Sequence, residues 1–105
     1  MSDFKNGQFD SDTLTKKKTK FAEPRSYKVI LINDHYTTQE FVVLVLEQVF
    51  NKNPDDAKKL MLKVHNDGSA LVGIYSKEVA EMKVAIVHHL SRQNEHPLKC
   101  IMEPE

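Results

Sequence analysis

The stretch YKVILINDHYTTQE, residues 27–40, contains the change from strand to helix on which the predicted fold depends. Its first half, Tyr27 to Ile32, is mostly aromatic, aliphatic or β-branched and predicts a strand. Thr37-x-x-Glu40 has capping-box spacing and predicts that a helix starts at Thr37 or Thr38. Loops between rigid elements often hold binding groups, although Asn and Asp are also common there because they tolerate turn geometry. This loop presents an amide, a carboxylate and an imidazole, from Asn33, Asp34 and His35.

Two helices are predicted to follow this loop. Apolar residues recur at helical spacing from Phe41 to Phe50, which predicts the first helix. Asn53 is a favourable N-cap and Pro54 suits the first helical position. Gly68 can adopt the left-handed conformation that ends many helices, so the second helix should run from Pro54 to just before Gly68.

The rest of the chain predicts a strand, a third helix and a last strand. Ser69 to Tyr75 has strand composition, with Gly73 marking a bulge or a close approach. Ser76 is positioned to cap a helix that runs to about Gln93, and residues 98–102 form the last short strand. The order β-α-α-β-α-β predicts an α+β fold, in which a three-stranded antiparallel sheet packs against three helices.

The chain of 105 residues allows one domain. Residues 1–25 are dominated by polar and charged side chains and are predicted to be a flexible amino-terminal extension, with residues 26–105 forming the core. Lysine plus arginine and aspartate plus glutamate both total 15, which argues against a nucleic-acid binder. The single cysteine, Cys100, and the absence of a signal-like or membrane-length apolar segment favour a cytoplasmic protein without membrane contact.

The usual signatures of catalysis and of metal binding are missing from the sequence. Cys100 is not presented by a sharp glycine-flanked turn, and three glycines are too few for a phosphate-binding loop. We therefore predict no enzymatic activity, no cofactor and no metal. Five histidines have none of the standard zinc spacings: His35, His65, His88, His89 and His96.

Recognition of a primary ammonium group is the chemistry that the polar residues fit. An ammonium has three donors, and Asn33, Asp34 and a neutral His65 each offer an acceptor. Periodicity does not show that they converge, and His65 also suits a simple interaction with the dipole at a helix end. Both interpretations of His65 stay open at this point. The apolar residues that could surround a neighbouring side chain are Val42, Val45, Met61 and Val64.

Five segments, taken together and in order, resemble the ClpS family, the bacterial adaptors that deliver N-end-rule substrates to the ClpA unfoldase of the ClpAP protease. The resemblance runs from about Tyr27 to the end of the chain, and residues 1–25 are similar only in being an amino-terminal extension. The segments are YKVILINDHYT, EFVV, LMLKVHNDG, EVAEMKV and NEHPLKC.

The resemblance implies a binding site for the first residue of a polypeptide. Asn33, Asp34 and His65 would hold the α-amino group, with His35 as an additional contributor. A side-chain pocket would accept Leu, Phe, Tyr or Trp. The positions that line or border it are Thr37, Gln39, Val42, Val45, Met61, Val64 and Leu98.

The resemblance also implies a partner. Glu78 and Lys83, both expected on the outer surface of the third helix, would dock on the amino-terminal domain of a ClpA-type AAA+ unfoldase. The extension would take part in handing over the substrate, and the protein is expected to be a monomer. Two alternatives remain: a regulatory domain that binds an unfoldase without reading amino termini, and, less well supported, a small ribosome- or RNA-associated domain.

Two residues depart from the family pattern. His35 stands where relatives often have an acid, so it should weaken the attraction for an ammonium as it protonates. Gln39 stands where relatives often have methionine, at the gate that excludes β-branched side chains. We therefore expect looser discrimination against Ile and Val at this site.

Overall fold

The computed structural model describes residues 25–105, so the predicted extension lies outside the described residues except for Arg25. The order of elements confirms the predicted α+β fold. None of the helices in the described part of the chain is long and apolar enough to cross a membrane. The elements are β1 (Ser26–Ile32), α1 (Gln39–Gln48), α2 (Pro54–Asp67), β2 (Ser69–Ser76), α3 (Lys77–Gln93) and β3 (Lys99–Pro104).

The three strands form an antiparallel sheet in the order β2-β1-β3, which places β1 in the centre. Val29 pairs with Gly73 while Ile30 pairs with Leu71, so Val72 is an extra residue and β2 has a bulge there. A Cβ atom at Gly73 would lie 2.5 Å from the hydroxyl of Tyr75, so any larger residue there would force the Tyr75 side chain to shift.

The helices cover one face of the sheet. Val29 and Leu31 of the central strand are fully buried on this face, whereas Leu71 and Ile74 of β2 remain about half exposed on the other. This alternation follows from the two-residue period of a strand. The covered face and the helices together form one core, to which the helices contribute Phe41, Val42, Val45, Leu46, Ala57, Met61, Val64, Ala80 and Val87.

The ends of α2 and α3 are as the sequence predicted. Asn53 Oδ1 accepts a hydrogen bond of 2.8 Å from the Asp56 amide, and Ser76 Oγ accepts one of 3.3 Å from the Val79 amide. Gly68 ends α2 with a φ of 90°, which only glycine adopts without strain.

The predicted helix start at Thr37 or Thr38 is confirmed at Thr38, but the predicted Thr37–Glu40 capping box is wrong. Thr38 is the N-cap, and its hydroxyl accepts a hydrogen bond of 3.1 Å from the Phe41 amide, so the helix begins at Gln39. Thr37 precedes the N-cap, and its hydroxyl donates to the Asp34 carboxylate. The residue that looked like a helix signal is part of the loop instead.

The edge strand β3 is held by a side chain of α3. The backbone amide of Cys100 donates to His88 Nε2 over 3.3 Å. The Cys100 thiol is 1 % exposed, and burial raises its pKa to about 12. This thiol therefore stays protonated at neutral pH and serves as a small apolar group in the core.

Candidate functional site

The loop after β1 is attached to the end of α2 by one backbone contact. The Asn33 amide donates to the Gly68 carbonyl oxygen over 2.9 Å, and the Gly68 amide donates to the Val64 carbonyl oxygen over 3.0 Å. These contacts bring Asn33 and Asp34 next to the last turn of α2, which carries His65. The three predicted acceptors, which come from two segments distant in sequence, therefore lie close together.

A cavity of about 200 Å³ opens at this place. It is smaller than the roughly 300–1,000 Å³ typical of pockets for small molecules, and its size suits one side chain. Polar groups line one part of it and apolar side chains line the rest. The lining residues are Asn33, Asp34, His35, Thr37, Gln39, Val42, Met61, Val64 and His65.

Two residues that were predicted for the pocket lie outside this lining. Val45 and Leu98 belong to the hydrophobic core, with 0 % and 3 % of their surface exposed. They belong to the same core cluster as the lining residues Val42, Met61 and Val64. The remaining residues predicted for the pocket and for the α-amino group are all part of the lining.

Asp34 organises the loop with both of its carboxylate oxygens. Oδ1 accepts hydrogen bonds of 2.7 Å from the Tyr36 and Thr37 amides, and Oδ2 accepts one of 2.6 Å from the Thr37 hydroxyl. Burial by itself raises the pKa of Asp34, but these hydrogen bonds and the charge of His96 outweigh it and lower the pKa from its ordinary value of 3.8. Asp34 is therefore ionised at neutral pH.

The hydrogen bonds to Asp34 leave room for a ligand at one atom. An ionised carboxylate has about four lone-pair positions, two on each oxygen. The two backbone amides use both positions on Oδ1, while the Thr37 hydroxyl uses only one on Oδ2. Oδ2 can therefore accept one further hydrogen bond, from a donor that enters the cavity.

His96 is a neighbour of the site that the sequence analysis did not identify. Its ring lies 4.6 Å from the ring of Phe41, measured between centroids, and its charge helps to lower the pKa of Asp34. No local pattern indicates this contact, because His96 follows α3 while Asp34 follows β1. The one available signal was its place in the NEHPLKC segment.

The two residues predicted to dock on an unfoldase have different surroundings. Glu78 is exposed in the first turn of α3. Lys83 was expected on the outer surface, which is wrong: it is half-buried, and its Nζ atom donates to the Val49 carbonyl oxygen over 2.7 Å. The same ammonium lies 5.7 Å and 5.4 Å from the ring centroids of Phe50 and Tyr75. Lys83 thus attaches α3 to the carboxyl-terminal end of α1.

The Lys83→Met variant is expected to lower the free energy of unfolding by about 1–2 kcal/mol, because it removes a charged hydrogen bond and a cation over two aromatic rings. Urea unfolding followed by circular dichroism measures the change. Lys77→Met is the matched control, because Lys77 is exposed on the same helix. Its replacement should change the free energy of unfolding by about 0.5 kcal/mol or less. Equal losses in the two variants would contradict the structural role of Lys83.

The described residues contain no group of three or more histidine, cysteine or carboxylate side chains that could hold a metal ion. What residues 25–105 do offer at the candidate site is a set of acceptors beside an apolar lining. That arrangement suits a cationic donor attached to an apolar side chain.

Comparisons with known proteins find relatives of this chain in one family. The family described as ATP-dependent Clp protease adaptor protein ClpS matches residues 22–101. The ClpS adapter protein of Desulfatibacillum aliphaticivorans is 51 % identical over 94 residues, which cover 90 % of this chain and 90 % of that protein. The corresponding protein of Hyphomonas neptunium is 52 % identical over 97 residues, which cover 92 % and 80 %.

A solved structure is similar as well. Agrobacterium tumefaciens ClpS2 bound to L-phenylalaninamide superposes with a TM-score of 0.77 at 38 % sequence identity. The match covers 79 % of this chain and all of that chain.

Proposed function

This chain belongs to the ClpS family of non-catalytic Clp protease adaptors, and from that premise we propose that it captures polypeptides by a free amino-terminal Leu, Phe, Tyr or Trp. It then delivers them to the amino-terminal domain of a ClpA-type AAA+ unfoldase. Asn33, Asp34 and His65 bind the α-amino group in this proposal. His35 lies beside them in the lining of the same cavity.

The observation that carries the proposal is the composition of the cavity. Its acceptors include Oδ2 of Asp34, which has a position left for one donor. Its apolar lining comes from Val42, Met61 and Val64, and its volume of about 200 Å³ suits one side chain. An amino-terminal Leu or Phe supplies an ammonium and an apolar side chain on the same Cα atom, which is the combination that such a cavity can bind.

The ligand of the Agrobacterium relative has matching chemistry. L-Phenylalaninamide carries a free α-amino group and a benzyl side chain, and its amide takes the place of the first peptide bond of a chain. A relative that binds this molecule at 38 % identity supports the same type of ligand here.

Selectivity for such ends would have two sources. Burial of a Leu or Phe side chain contributes roughly 1.5–3 kcal/mol. A blocked amine leaves the acceptors around it without partners, which costs roughly 1–3 kcal/mol for each buried group. Both the side chain and the free amine are therefore needed for tight binding.

Delivery to the unfoldase is assigned to the surface around Glu78. This carboxylate is exposed and available for an intermolecular contact. Lys83 is bound to the end of α1, so in docking its ammonium would be shared between the Val49 carbonyl and the unfoldase. We further propose that the protein acts as a cytoplasmic monomer and that the extension over residues 1–25 takes part in the transfer.

Fluorescence anisotropy with a labelled peptide that begins with Leu tests the proposal. The free peptide should bind at least a hundredfold more tightly than the same peptide with an acetylated amino terminus. If neither peptide binds, the protein does not read amino termini, and the regulatory alternative takes the place of the proposal.

The Gln39→Met variant is expected to exclude Ile- and Val-initiated peptides more strongly than the unmodified protein does. Gln39 lines the cavity. Methionine is of similar length but has no polar head group to keep in water, so it should pack against the bound side chain and leave less room for a branch at Cβ. The ratio of Leu-peptide to Val-peptide affinity should rise about sixfold to tenfold, at the low end of the range of roughly 1–3 kcal/mol for small apolar differences. Gln48→Met, on an exposed position of the same helix, is the control. An unchanged ratio would mean that Gln39 does not act as a gate.

A further inference from the structure

A second cavity of about 380 Å³ adjoins the candidate site. Gln39 and Met61 line both cavities, so these two side chains form the wall between them. We call this second cavity the downstream groove. Its remaining lining residues are Glu40, Val43 and Glu47 of α1 and Pro54 and Lys58 of α2.

The chemistry of the downstream groove differs from that of the candidate site. Val43, Pro54 and Met61 give it an apolar lining, while its charged groups are two carboxylates, Glu40 and Glu47, and one ammonium. The formal balance of these three charges is −1. A long aliphatic side chain that ends in a cation suits this combination, because the stem covers apolar surface and the head remains near carboxylates. Arginine and lysine have this form.

The position of the groove indicates which part of a bound polypeptide would reach it. In an extended chain the first and third side chains point to the same side, about 6.6–7 Å apart. Because the two cavities share Gln39 and Met61 in their linings, the groove is the next cavity on this side of the candidate site. When the first side chain occupies the candidate site, the third is the next one that can enter on the same side.

We infer that the downstream groove binds the side chain of the third residue of the captured polypeptide and favours Arg or Lys over Glu or Asp. This inference rests on the proposed function, because it requires the first residue to occupy the neighbouring cavity. It adds a second point at which the protein reads its substrate, and it assigns Glu47, the less exposed of the two carboxylates in the groove, as a specificity-determining residue.

The test uses labelled peptides that begin Leu-Ala and differ only at residue 3, which is Arg, citrulline or Glu. Citrulline keeps the length of Arg without its charge. The Arg peptide should bind about twofold to fivefold more tightly than the citrulline peptide, as expected for one exposed ion pair. The Glu peptide should bind more weakly than both.

Glu47→Gln should bring the Arg-to-citrulline ratio close to one, and Glu47→Lys should reverse the order of Arg and Glu. Glu81→Gln is the matched control: it removes one exposed carboxylate from α3 and should leave the ratio unchanged. The citrulline peptide reports whether each variant still binds an amino-terminal Leu.

Three outcomes would overturn the inference. Equal affinity for the three peptides would show that residue 3 is not read. A second peptide series carries Arg, citrulline or Glu at residue 2 or 4, and a charge preference there, with none at residue 3, would place the contact elsewhere. An equal effect of Glu47→Gln and Glu81→Gln would show a general effect of net charge. Failure of the proposed function is distinguishable from all three, since then the free and acetylated Leu peptides would not differ.

Discussion

The Asp34→Asn variant should keep its fold and lose peptide binding by roughly thirtyfold to three-thousandfold, which corresponds to about 2–5 kcal/mol for one partner of a buried charge pair. Asparagine can preserve the loop, because its Oδ1 can accept from the Tyr36 and Thr37 amides and its amide nitrogen can donate to the Thr37 hydroxyl oxygen. The substitution changes the atom that would face the ammonium. The carboxylate oxygen Oδ2, which accepts a hydrogen bond, is replaced by an amide nitrogen, which donates one.

Anisotropy with the Leu-initiated peptide measures this loss. Asp67→Asn is the matched control, since it makes the same change at an exposed position at the end of α2. Asp34→Ala is less informative, because it also removes all three hydrogen bonds that shape the loop. Parental affinity in Asp34→Asn would exclude Asp34 from the binding site.

Asp34 should also make the stability of the fold depend on pH in the acid range. Hydrogen bonds and His96 lower its pKa in the folded protein, although burial acts in the opposite direction. A carboxyl whose pKa is lower in the folded state stabilises the fold fully above its ordinary value of 3.8 and loses that contribution as the pH falls through the lowered value. The Asp34→Asn variant should therefore differ from the unmodified protein less at pH 3 than at pH 7.

Leu31→Ala is expected to lower the free energy of unfolding by about 3–5 kcal/mol, the range for a leucine removed from a tightly packed core. Leu31 is fully buried in the central strand, two residues before Asn33. A domain of this size has a total stability of roughly 4–12 kcal/mol, at about 0.05–0.15 kcal/mol per residue. The variant should therefore be close to unfolding, and the site that follows the strand should fail with it.

Leu71→Ala is the control for this loss. Leu71 lies on the neighbouring strand but on the opposite face of the sheet, where 45 % of its surface is exposed. Truncation of Leu71 should lower the free energy of unfolding by about 1 kcal/mol or less. Urea denaturation followed by circular dichroism compares the two leucines. Equal losses would mean that the outer face of the sheet is packed against another part of the protein.

The predictions from sequence succeeded where the signal is local. Asn53 and Ser76 cap the helices that directly follow them, and Gly68 ends the helix that directly precedes it. Gly73 marks the bulge through the close approach of Tyr75, two residues away. In each case the partner lies within a few residues, so the spacing along the chain contains the information.

The predictions failed where a partner lies far along the chain or where two local partners compete. Lys83 was placed on the surface because nothing near it in sequence reveals the carbonyl of Val49, which lies on another helix. Thr37 was read as a helix cap because its spacing to Glu40 fits, but the Asp34 carboxylate binds its hydroxyl. The meeting of the loop with α2 depends on the contact of Asn33 with Gly68, which no periodicity predicts.

The two outer strands of the sheet have a consequence for a protein whose proposed work is to handle other polypeptides. An unprotected strand edge can recruit any extended chain through backbone hydrogen bonds, regardless of sequence. Here the β2 edge is interrupted by the bulge at Val72, and the β3 amide of Cys100 already donates to His88. Both features discourage unfolded polypeptides from joining the sheet as an extra strand. The proposed capture would then depend on the chain end, and the adaptor would be less exposed to co-aggregation with the polypeptides it binds.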